Sequence, residues 1–202
     1  MKHAVIVAHP NAGSLSLAIA ERYAAAVGKL GHTALVRDLY RMDFDPRLKA
    51  GELPGGRDFG PAPDVVAERE QIADADVFAF VYPFWFNAPP AMLKGYVDRV
   101  FSLGFGYEPV FGGTSPLLEG RRLISFTTSG APERWVHSTG AYEALMTLFD
   151  RHLAAVCGMT VVDHVHEGGV VPGMTEEAFE AIMTRVDATV AERFGRGTDA
   201  SG

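Results

Sequence analysis

Short apolar runs alternate with amphipathic segments along most of this chain. Residues 4–8 and 77–81 (AVIVA and VFAFV) are wholly apolar, which is the pattern of strands covered on both faces. Strand-like runs also lie at 33–36, 122–128 and 160–165. Between these runs, apolar residues recur at helical spacing, as in the stripe Leu15, Ile19, Tyr23, Val27 and Leu30. The pattern predicts five strands that alternate with helices.

Alternating strands and helices need right-handed crossovers, which produce a parallel sheet with helices on both faces. Five strands favour the flavodoxin-like order 2-1-3-4-5, in which a ligand binds beyond the carboxyl ends of the strands. This α/β fold predicts three site loops, at residues 9–14, 83–90 and 127–134. We expect a single flavodoxin-like domain over residues 1–195 and a flexible C-terminal tail at 196–202.

Several residues predict where helices begin and end. The Ser14 hydroxyl can cap the first helix, and Gly31 can end it. Asp64 is predicted to cap a helix that carries Val65, Val66 and Ile72. The segment 41–63 holds four prolines and four glycines, the composition of a long functional or disordered loop.

Composition and charge narrow the classes of function. The chain has 202 residues and a net charge of −7, with no run of basic residues, so charge-driven binding to nucleic acid or an anionic membrane is disfavoured. No apolar run reaches the roughly 20 residues of a membrane span, and His9-Pro10 interrupts the N-terminal run, so we expect neither membrane insertion nor a signal peptide. The single cysteine, Cys157, excludes an intrachain disulfide and is predicted to be a packing residue. These features predict a cytoplasmic protein.

The segment 82–90 (YPFWFNAPP) is the most unusual part of the chain. After Tyr82, which ends a predicted strand, it places three aromatic rings and three prolines before a predicted helix. A loop that only reverses the chain would use Gly, Asn and Asp. Rings at the carboxyl end of a strand suit a flat, partly apolar ligand, which suggests a nucleotide or flavin site.

Two other loops at the same predicted edge carry polar groups. Residues 9–14 offer hydroxyl, amide and backbone N–H groups at a helix start, which suit an anion, although an ordinary capped turn has the same composition. Residues 127–130 (TTSG) offer small hydroxyls and a glycine, which suit a polar ligand edge or a simple turn. Neither a phosphate loop nor a Gly-x-Gly-x-x-Gly pattern is present, so nucleotide hydrolysis is disfavoured.

The histidines do not predict a metal site. His164 and His166 alternate along a predicted strand, and no histidine pair has helical spacing with a carboxylate third ligand. We therefore expect His137, His152, His164 and His166 to be solvated or capping residues. A hydrolase is disfavoured as well, because no Gly-x-Ser-x-Gly elbow follows a strand.

Taken in order, four segments resemble the NAD(P)H:quinone reductase family, the diaphorase-like flavoproteins of flavodoxin fold. They are VAHP with Ser14, the stretch from Tyr82-Pro83 to AMLKGYVDRVF, GFGY at 104–107 and TTSG at 127–130. The resemblance spans roughly the first two thirds of the chain, and its central segment is the most specific.

The resemblance implies a tightly bound flavin, FAD with FMN as the alternative, and NAD(P)H as co-substrate. It assigns the phosphate region to His9, Ser14, Leu15 and Ser16. It assigns the ring to Pro83, Phe84, Trp85, Phe86 and Asn87, and the pyrimidine edge to Thr127, Thr128, Ser129 and Gly130. Arg69 corresponds to a position near the adenosine half of FAD.

The resemblance also implies a homodimer with a shared active site, in which Tyr107 forms an aromatic wall of the substrate pocket. Family members stabilise reduced flavin with a Tyr and, six residues later, a His. Here Trp135 and Ala141 stand at those positions, and His137 is a candidate substitute. Ser129 replaces the usual first glycine. The predicted catalytic residues are therefore Trp135, His137 and Tyr107.

The implied function is a flavin-dependent NAD(P)H oxidoreductase that reduces quinones or similar acceptors by two-electron hydride transfer. The alternative is a flavin-binding regulatory subunit of the potassium-efflux type with low turnover. A one-electron carrier is disfavoured, because Trp85, Tyr107 and the long loops indicate an enclosed slot. The sequence leaves open the natural acceptor and the choice between NADH and NADPH.

Overall fold

The strands of the chain form one parallel sheet and one separate hairpin in a computed structural model that describes residues 1–55 and 59–195. The strands are β1 (Lys2–Val7), β2 (Thr33–Asp38), β3 (Val77–Pro83), β4 (Tyr107–Val110), β5 (Gly113–Pro116), β6 (Arg122–Thr128) and β7 (Thr160–Glu167). The parallel sheet has the order β2-β1-β3-β6-β7, and β4 pairs with β5 in the antiparallel hairpin. This order confirms the predicted flavodoxin-like topology. The hairpin was not predicted.

Helices cover both faces of the sheet. They are α1 (Leu15–Lys29), α2 (Pro63–Ile72), α3 (Ala91–Val100), α4 (Glu133–Ser138), α5 (Ala141–Leu145), α6 (His152–Cys157) and α7 (Glu176–Phe194). A π-helical turn, Met146–Arg151, joins α5 to α6. Helices α1 and α7 share one core with the sheet, and the remaining helices contribute to the core on the other face. Among the described helices, none combines the length and the apolar character that crossing a membrane requires.

Strand β3 contributes to both hydrophobic cores, which lie on opposite faces of the sheet. It lies in the middle of the sheet, and all seven of its residues are buried. Phe78, Phe80 and Tyr82 face one core, while Val77, Ala79 and Val81 face the other. Because side chains alternate along a strand, a central strand with helices on both faces is apolar throughout. Cys157 is also buried, as predicted, and its burial raises the thiol pKa to about 11.

The helix ends follow the sequence in one case and depart from it in another. Ser14 caps α1, since its Oγ accepts a hydrogen bond from the Leu17 N–H at 3.3 Å. Gly31 follows the end of that helix with φ +80°, a backbone angle that favours glycine. The prediction that Asp64 caps α2 is wrong, because the helix begins one residue earlier, at Pro63. Proline suits that first position, where no N–H is needed.

Asp64 instead serves a buried ion-pair cluster that anchors the long segment 41–63. The fully buried guanidinium of Arg99 donates to Asp64 Oδ2 at 2.7 Å and to Glu52 Oε1 at 2.9 Å. It also donates to the carbonyl of Asp45 at 2.5 Å. Gly95 allows the loop backbone at Pro46 to lie close to α3, because a Cβ at position 95 would lie 2.0 Å from the carbonyl oxygen of Pro46. The described part of the loop is therefore packed against α3. The predicted tail, 196–202, lies outside the described residues.

We expect Arg99→Ala to lower the free energy of unfolding by about 3–5 kcal/mol, because it leaves a buried carboxylate without its counter-ion. Urea denaturation measures this loss. Arg47→Ala is the matched control, since Arg47 pairs with Asp45 at an exposed position and should cost less than about 1 kcal/mol. Equal effects of the two substitutions would contradict the anchoring role of Arg99.

Candidate functional site

The loops that follow β1, β3, β6 and β7 meet at the carboxyl edge of the sheet. The hydrogen-bond ladder continues past the strands and ties neighbouring loops together. The Ala8 N–H donates to the carbonyl of Val81 at 3.1 Å, and the Phe84 N–H donates to that of Thr128 at 2.6 Å. The Ser129 N–H donates to the carbonyl of Glu167 at 2.9 Å. These bonds fix the position of each loop relative to the next.

The loop after β1 presents His9 as a neutral hydrogen-bond donor. Its Nδ1 accepts from the Asn11 N–H at 3.0 Å. Burial, together with the charge of Arg41, lowers the pKa of His9 despite the opposing hydrogen bond from Asn11. A neutral imidazole that accepts at Nδ1 carries its proton on Nε2, so Nε2 is available as a donor.

Arg41 anchors the loop after β1 by hydrogen bonds to its backbone, and the sequence did not predict this role. Its guanidinium donates to the carbonyls of His9 and Pro10, and its Nε donates to Asp38 Oδ2 at 2.8 Å. In the sequence, Asp38 and Arg41 form an ordinary i,i+3 pair after the second strand. The contact with His9 follows only from the neighbouring positions of β1 and β2 in the sheet.

The start of α1 adds donors beside His9. The first-turn N–H groups of an α-helix, here those of Leu15 and Ser16, have no acceptor within the helix. Side chains contribute differently. Leu15 packs against the α1/α7 core, and the buried Ser16 hydroxyl finds no hydrogen-bond partner among the described residues. The donors available at the predicted anion site are therefore backbone N–H groups and His9 Nε2.

A cleft of about 460 Å³ runs from this helix start to the loop after β7. It is lined on one side by His9, Asn11, Gly13 and Ser14, and on the other by residues 170–174. Sequence reasoning predicted three site loops and missed this fourth one. The glycines and proline of residues 168–173 directly follow a strand, and the rule that placed the other loops applies there too.

The loop after β3 is a strained tight turn. Phe86 and Asn87 have φ of +48° and +55°, and the Ala88 N–H donates to the carbonyl of Trp85 at 3.0 Å. Two consecutive residues in the left-handed region make a type I′ turn, which normally uses Asn-Gly. The left-handed conformation costs a residue such as Phe86 about 1–2 kcal/mol. Strain of this kind is typical of functional sites.

The strained turn displays rings to solvent. Phe86 is fully exposed, and Trp85 is 45% exposed with its ring 5.5 Å from that of His9. Phe84 points inward and packs edge-on against His166 at 5.8 Å, while Pro83 ends β3. The structure therefore brings Trp85 and Phe86 next to the predicted anion site.

The hydroxyls of the loop after β6 turn inward. Thr127 Oγ1 lies 2.8 Å from His164 Nε2 and 2.9 Å from His166 Nδ1. Ser129 Oγ donates to the carbonyl of Ala131 at 2.9 Å and lies 3.0 Å from His166 Nε2. Thr128 is buried, and a Cβ at position 130 would lie 3.7 Å from the carbonyl oxygen of Val170, so the space around Gly130 does not require a glycine.

The prediction that His164 and His166 are solvated or capping residues is wrong, because both are buried in this network. Sequence alone could not show it. Their burial depends on the register that sets Ser125 beside His164 and Thr127 beside His166, and on helices α4 to α6, which cover this face.

The predicted catalytic residues Trp135 and His137 lie on α4, next to this network. Both are about half exposed. The ring of His137 lies 4.5 Å from that of Tyr142, and its Nε2 lies 3.8 Å from Glu133 Oε1. His137 shares a cleft of about 440 Å³ with His164 and His166.

The structure does not bring Tyr107 and Arg69 to these loops. Tyr107 lies on β4 and lines a separate groove beside α3 and α6. The guanidinium of Arg69 donates to the carbonyls of Arg99, Val100 and Leu103 and to Ser102 Oγ, which places it at the C-terminus of α3. The start of that 10-residue helix, beside the Trp85 loop, is about 15 Å away.

Comparison with known proteins supports the flavodoxin-like fold. The sequence pattern of a family described as having a flavodoxin-like fold matches residues 1–190. An uncharacterised NAD(P)H oxidoreductase of Haemophilus influenzae is 31% identical over 96% of this chain and 100% of its own length. An NAD(P)H:quinone oxidoreductase from Methanothermobacter marburgensis is 29% identical, with a TM-score of 0.79 over 96% of this chain and 94% of its own. An FMN-dependent NADH-azoreductase from Bacillus anthracis, solved with FMN, shares the fold at 20% identity, with a TM-score of 0.68 over 95% of this chain and 99% of its own.

We expect Phe86→Gly to raise the free energy of unfolding of the flavin-free protein by about 0.5–1 kcal/mol. Glycine relieves the left-handed strain, and its greater freedom in the unfolded chain offsets part of the gain. Urea denaturation measures the change. Phe111→Gly is the control, because Phe111 is also fully exposed but lies outside the left-handed region. A less stable Phe86→Gly protein would contradict the strain.

Proposed function

The chain belongs to the flavodoxin-like fold family, and we propose that it is a flavin-dependent NAD(P)H oxidoreductase that reduces quinones or similar acceptors by two-electron transfer. Relatives named as NAD(P)H oxidoreductases match nearly the whole chain and support this proposal. Their names do not favour the alternative of an ancillary regulatory subunit.

One observation carries the proposal. Exposed aromatic rings are held in a strained turn directly beside the donor-rich start of α1, and the His9–Trp85 contact joins the two features. A stacking surface next to an anion site matches a ligand that has a flat ring system and a phosphate. Nucleotides and flavins share those two parts, and the names of the relatives favour a flavin.

The residues present fit a flavin. Trp85 and Phe86 would stack on the ring system, and the tight turn fixes their positions before the ligand arrives. His9 Nε2 and the first-turn N–H groups of α1 would hold a phosphate. Backbone N–H groups of the Trp85 loop would stabilise negative charge on the reduced ring. When bound, the flavin supplies the hydride chemistry, since it accepts a hydride from NAD(P)H and passes two electrons on.

We propose FAD as the flavin. The Ser14–Leu15–Ser16 start of α1 and the long loop before Pro63 favour it, and Arg41 at the beginning of that loop contacts His9 and Pro10. Arg69 does not support FAD, because its guanidinium is already occupied at the far end of α3.

We propose Trp135 and His137 as the groups that meet the acceptor. Both lie on α4 beside the Ser129 loop and keep about half of their surface exposed. His137 lies between Trp135 and Ala141, the positions at which the family has its Tyr and His, and is the candidate substitute for that pair.

We also propose that a second copy of the chain covers the groove beside α3. This groove of about 420 Å³ is lined by Val97, Phe101, Tyr107, Leu153 and Leu148, and Leu148 is 76% exposed. An exposed apolar groove of this kind is typical of an interface. A dimer formed through this groove would bring Tyr107 of each copy to the acceptor pocket of the other copy and complete the shared site.

We expect purified protein to be yellow, to release FAD on heating and to oxidise NAD(P)H in the presence of menadione. Absorbance, chromatography of the released flavin and a steady-state assay test these points.

Trp85→Ala should weaken flavin binding about tenfold, which corresponds to roughly 1.4 kcal/mol of lost stacking. Trp135→Ala is the control and should leave flavin affinity within about twofold. A colourless protein that stays inactive after flavin is added would refute the function, and released FMN would refute only the choice of FAD.

We expect Leu148→Glu to convert a dimer into a monomer at micromolar concentration, because it places a charge in the covered groove. Light scattering measures the mass. Val66→Glu alters an exposed apolar residue on α2 instead and should leave the dimer intact. A monomeric wild-type protein would exclude the shared site.

A further inference from the structure

A continuous chain of buried polar side chains runs from the π-helical turn to the loop after β6. Asp150 Oδ2 lies 2.6 Å from His164 Nδ1, and both side chains are fully buried. His164 Nε2 contacts Thr127 Oγ1 at 2.8 Å, which in turn lies 2.9 Å from His166 Nδ1. His166 Nε2 lies 3.0 Å from Ser129 Oγ. The chain thus ends at the carboxyl edge of the sheet.

The hydrogen bond from Ser129 to the carbonyl of Ala131 determines which ring nitrogen of each histidine in this chain carries a proton. Ser129 has one hydroxyl proton and donates it to that carbonyl, so Ser129 must accept from His166 Nε2–H. Burial, followed by the charges of His164 and His137, lowers the pKa of His166 to about 4, so its ring is neutral at pH 7. A neutral ring that is protonated on Nε2 accepts at Nδ1.

The protons at the buried end of the chain can be placed in the same way, starting from His166. Thr127 has one hydroxyl proton, and His166 Nδ1 at 2.9 Å is a nearer acceptor than the carbonyl of Val165 at 3.5 Å. Thr127 therefore donates to His166 Nδ1 and accepts from His164 Nε2–H. With Nε2 protonated, the 2.6 Å contact between His164 Nδ1 and Asp150 Oδ2 holds one further proton. The Asp150–His164 pair is net neutral wherever that proton lies, and all donors in the chain point towards Ser129.

We propose that this chain, Asp150–His164–Thr127–His166–Ser129, is a proton relay that serves acceptor reduction, an inference that rests on the proposed function. Reduction of a quinone-type acceptor takes two electrons and two protons. NAD(P)H supplies both electrons and one proton as hydride. The relay supplies the second proton, in a protein that lacks the Tyr/His pair of its family.

Ser129, His166 and Thr127 each give up one proton and take up another. The Ser129 hydroxyl turns from Ala131 and gives its proton to the acceptor, and it takes the Nε2 proton of His166. His166 Nδ1 takes the proton of Thr127, which takes the Nε2 proton of His164. Only the Asp150–His164 pair ends with one proton fewer. After the acceptor has left, Ser129 takes a proton from solvent, and the same steps in reverse pass it back to the buried pair.

The buried end of the chain has one unpaired oxygen. Asp150 Oδ1 is buried and has no hydrogen-bond partner among the described residues. The π-helical turn that carries Asp150 is a feature found frequently at functional sites. The other titratable groups facing the relay are Tyr142 on α5, His137 and Glu133 on α4, Tyr82 on β3, and the Glu167–Arg185 pair.

Stopped-flow kinetics of the two half-reactions tests the relay. His166→Gln keeps a donor towards Ser129 but cannot pass a proton. We expect reduction of the flavin by NAD(P)H to change less than about twofold, because hydride transfer needs no relayed proton. Reoxidation by menadione should slow about 100-fold, the usual range for lost acid catalysis, and added imidazole should restore part of the rate.

Ser129→Ala removes the exit of the relay. Because Ser129 is also assigned to the pyrimidine edge of the flavin, this variant is assayed at saturating flavin, and its reoxidation should slow more than its flavin reduction. His32→Gln is the matched control, because it makes the same change at the opposite edge of the sheet, where the ring of His32 contacts His3, a residue outside the relay. Nitrogen NMR of the flavin-free protein gives a readout independent of activity. Both His164 and His166 should carry a proton on Nε2.

Two results would overturn the relay. One is an unchanged reoxidation rate, or an equal slowing of both half-reactions, in His166→Gln and Ser129→Ala. The other is an NMR spectrum that shows His166 protonated on Nδ1 in the flavin-free protein. A wild-type protein that binds no flavin refutes the proposed function instead, and the NMR result still decides the order of protons in the chain.

Discussion

The hydrogen-bond ladder that continues past the strand ends is the constraint on which the site depends. In a parallel sheet all strands end at the same edge, so the loops that follow them are neighbours. The bonds from Ala8 to Val81, from Phe84 to Thr128 and from Ser129 to Glu167 carry the register of the sheet into those loops. The strained turn at Phe86 and the donors at the start of α1 therefore keep fixed relative positions before any ligand binds.

The same register creates the polar strip inside the molecule. Thr127 faces His166 across β6 and β7, and the π-helical turn brings Asp150 to His164. Buried polar groups are costly unless they are paired, and here nearly every atom of the chain has a partner. The connected hydroxyls and imidazoles thus link a buried carboxylate to the loop that we assign to the pyrimidine edge of the flavin.

Sequence patterns were sufficient where a feature depends on neighbouring residues. The apolar run of β3, the cap at Ser14 and the order of strands could all be predicted, because periodicity and crossover handedness determine them. Features that depend on distant residues could not. Arg41 follows β2 and reaches His9 at the end of the neighbouring strand β1. Arg69 is occupied at the end of α3, and Asp64 pairs with Arg99 instead of capping α2. The burial of His164 and His166 likewise required the register of β6 and β7.

Hydrogen–deuterium exchange of the flavin-free protein, measured with and without added flavin, tests most directly whether these loops form one cofactor site. The account predicts slower exchange at residues 9–17, 84–90 and 129–132 together, because one ligand contacts all three loops. It predicts little change at the C-terminus of α3, where Arg69 lies. Protection confined to a single loop, or protection centred on Arg69, would contradict a flavin held across the carboxyl edge of the sheet.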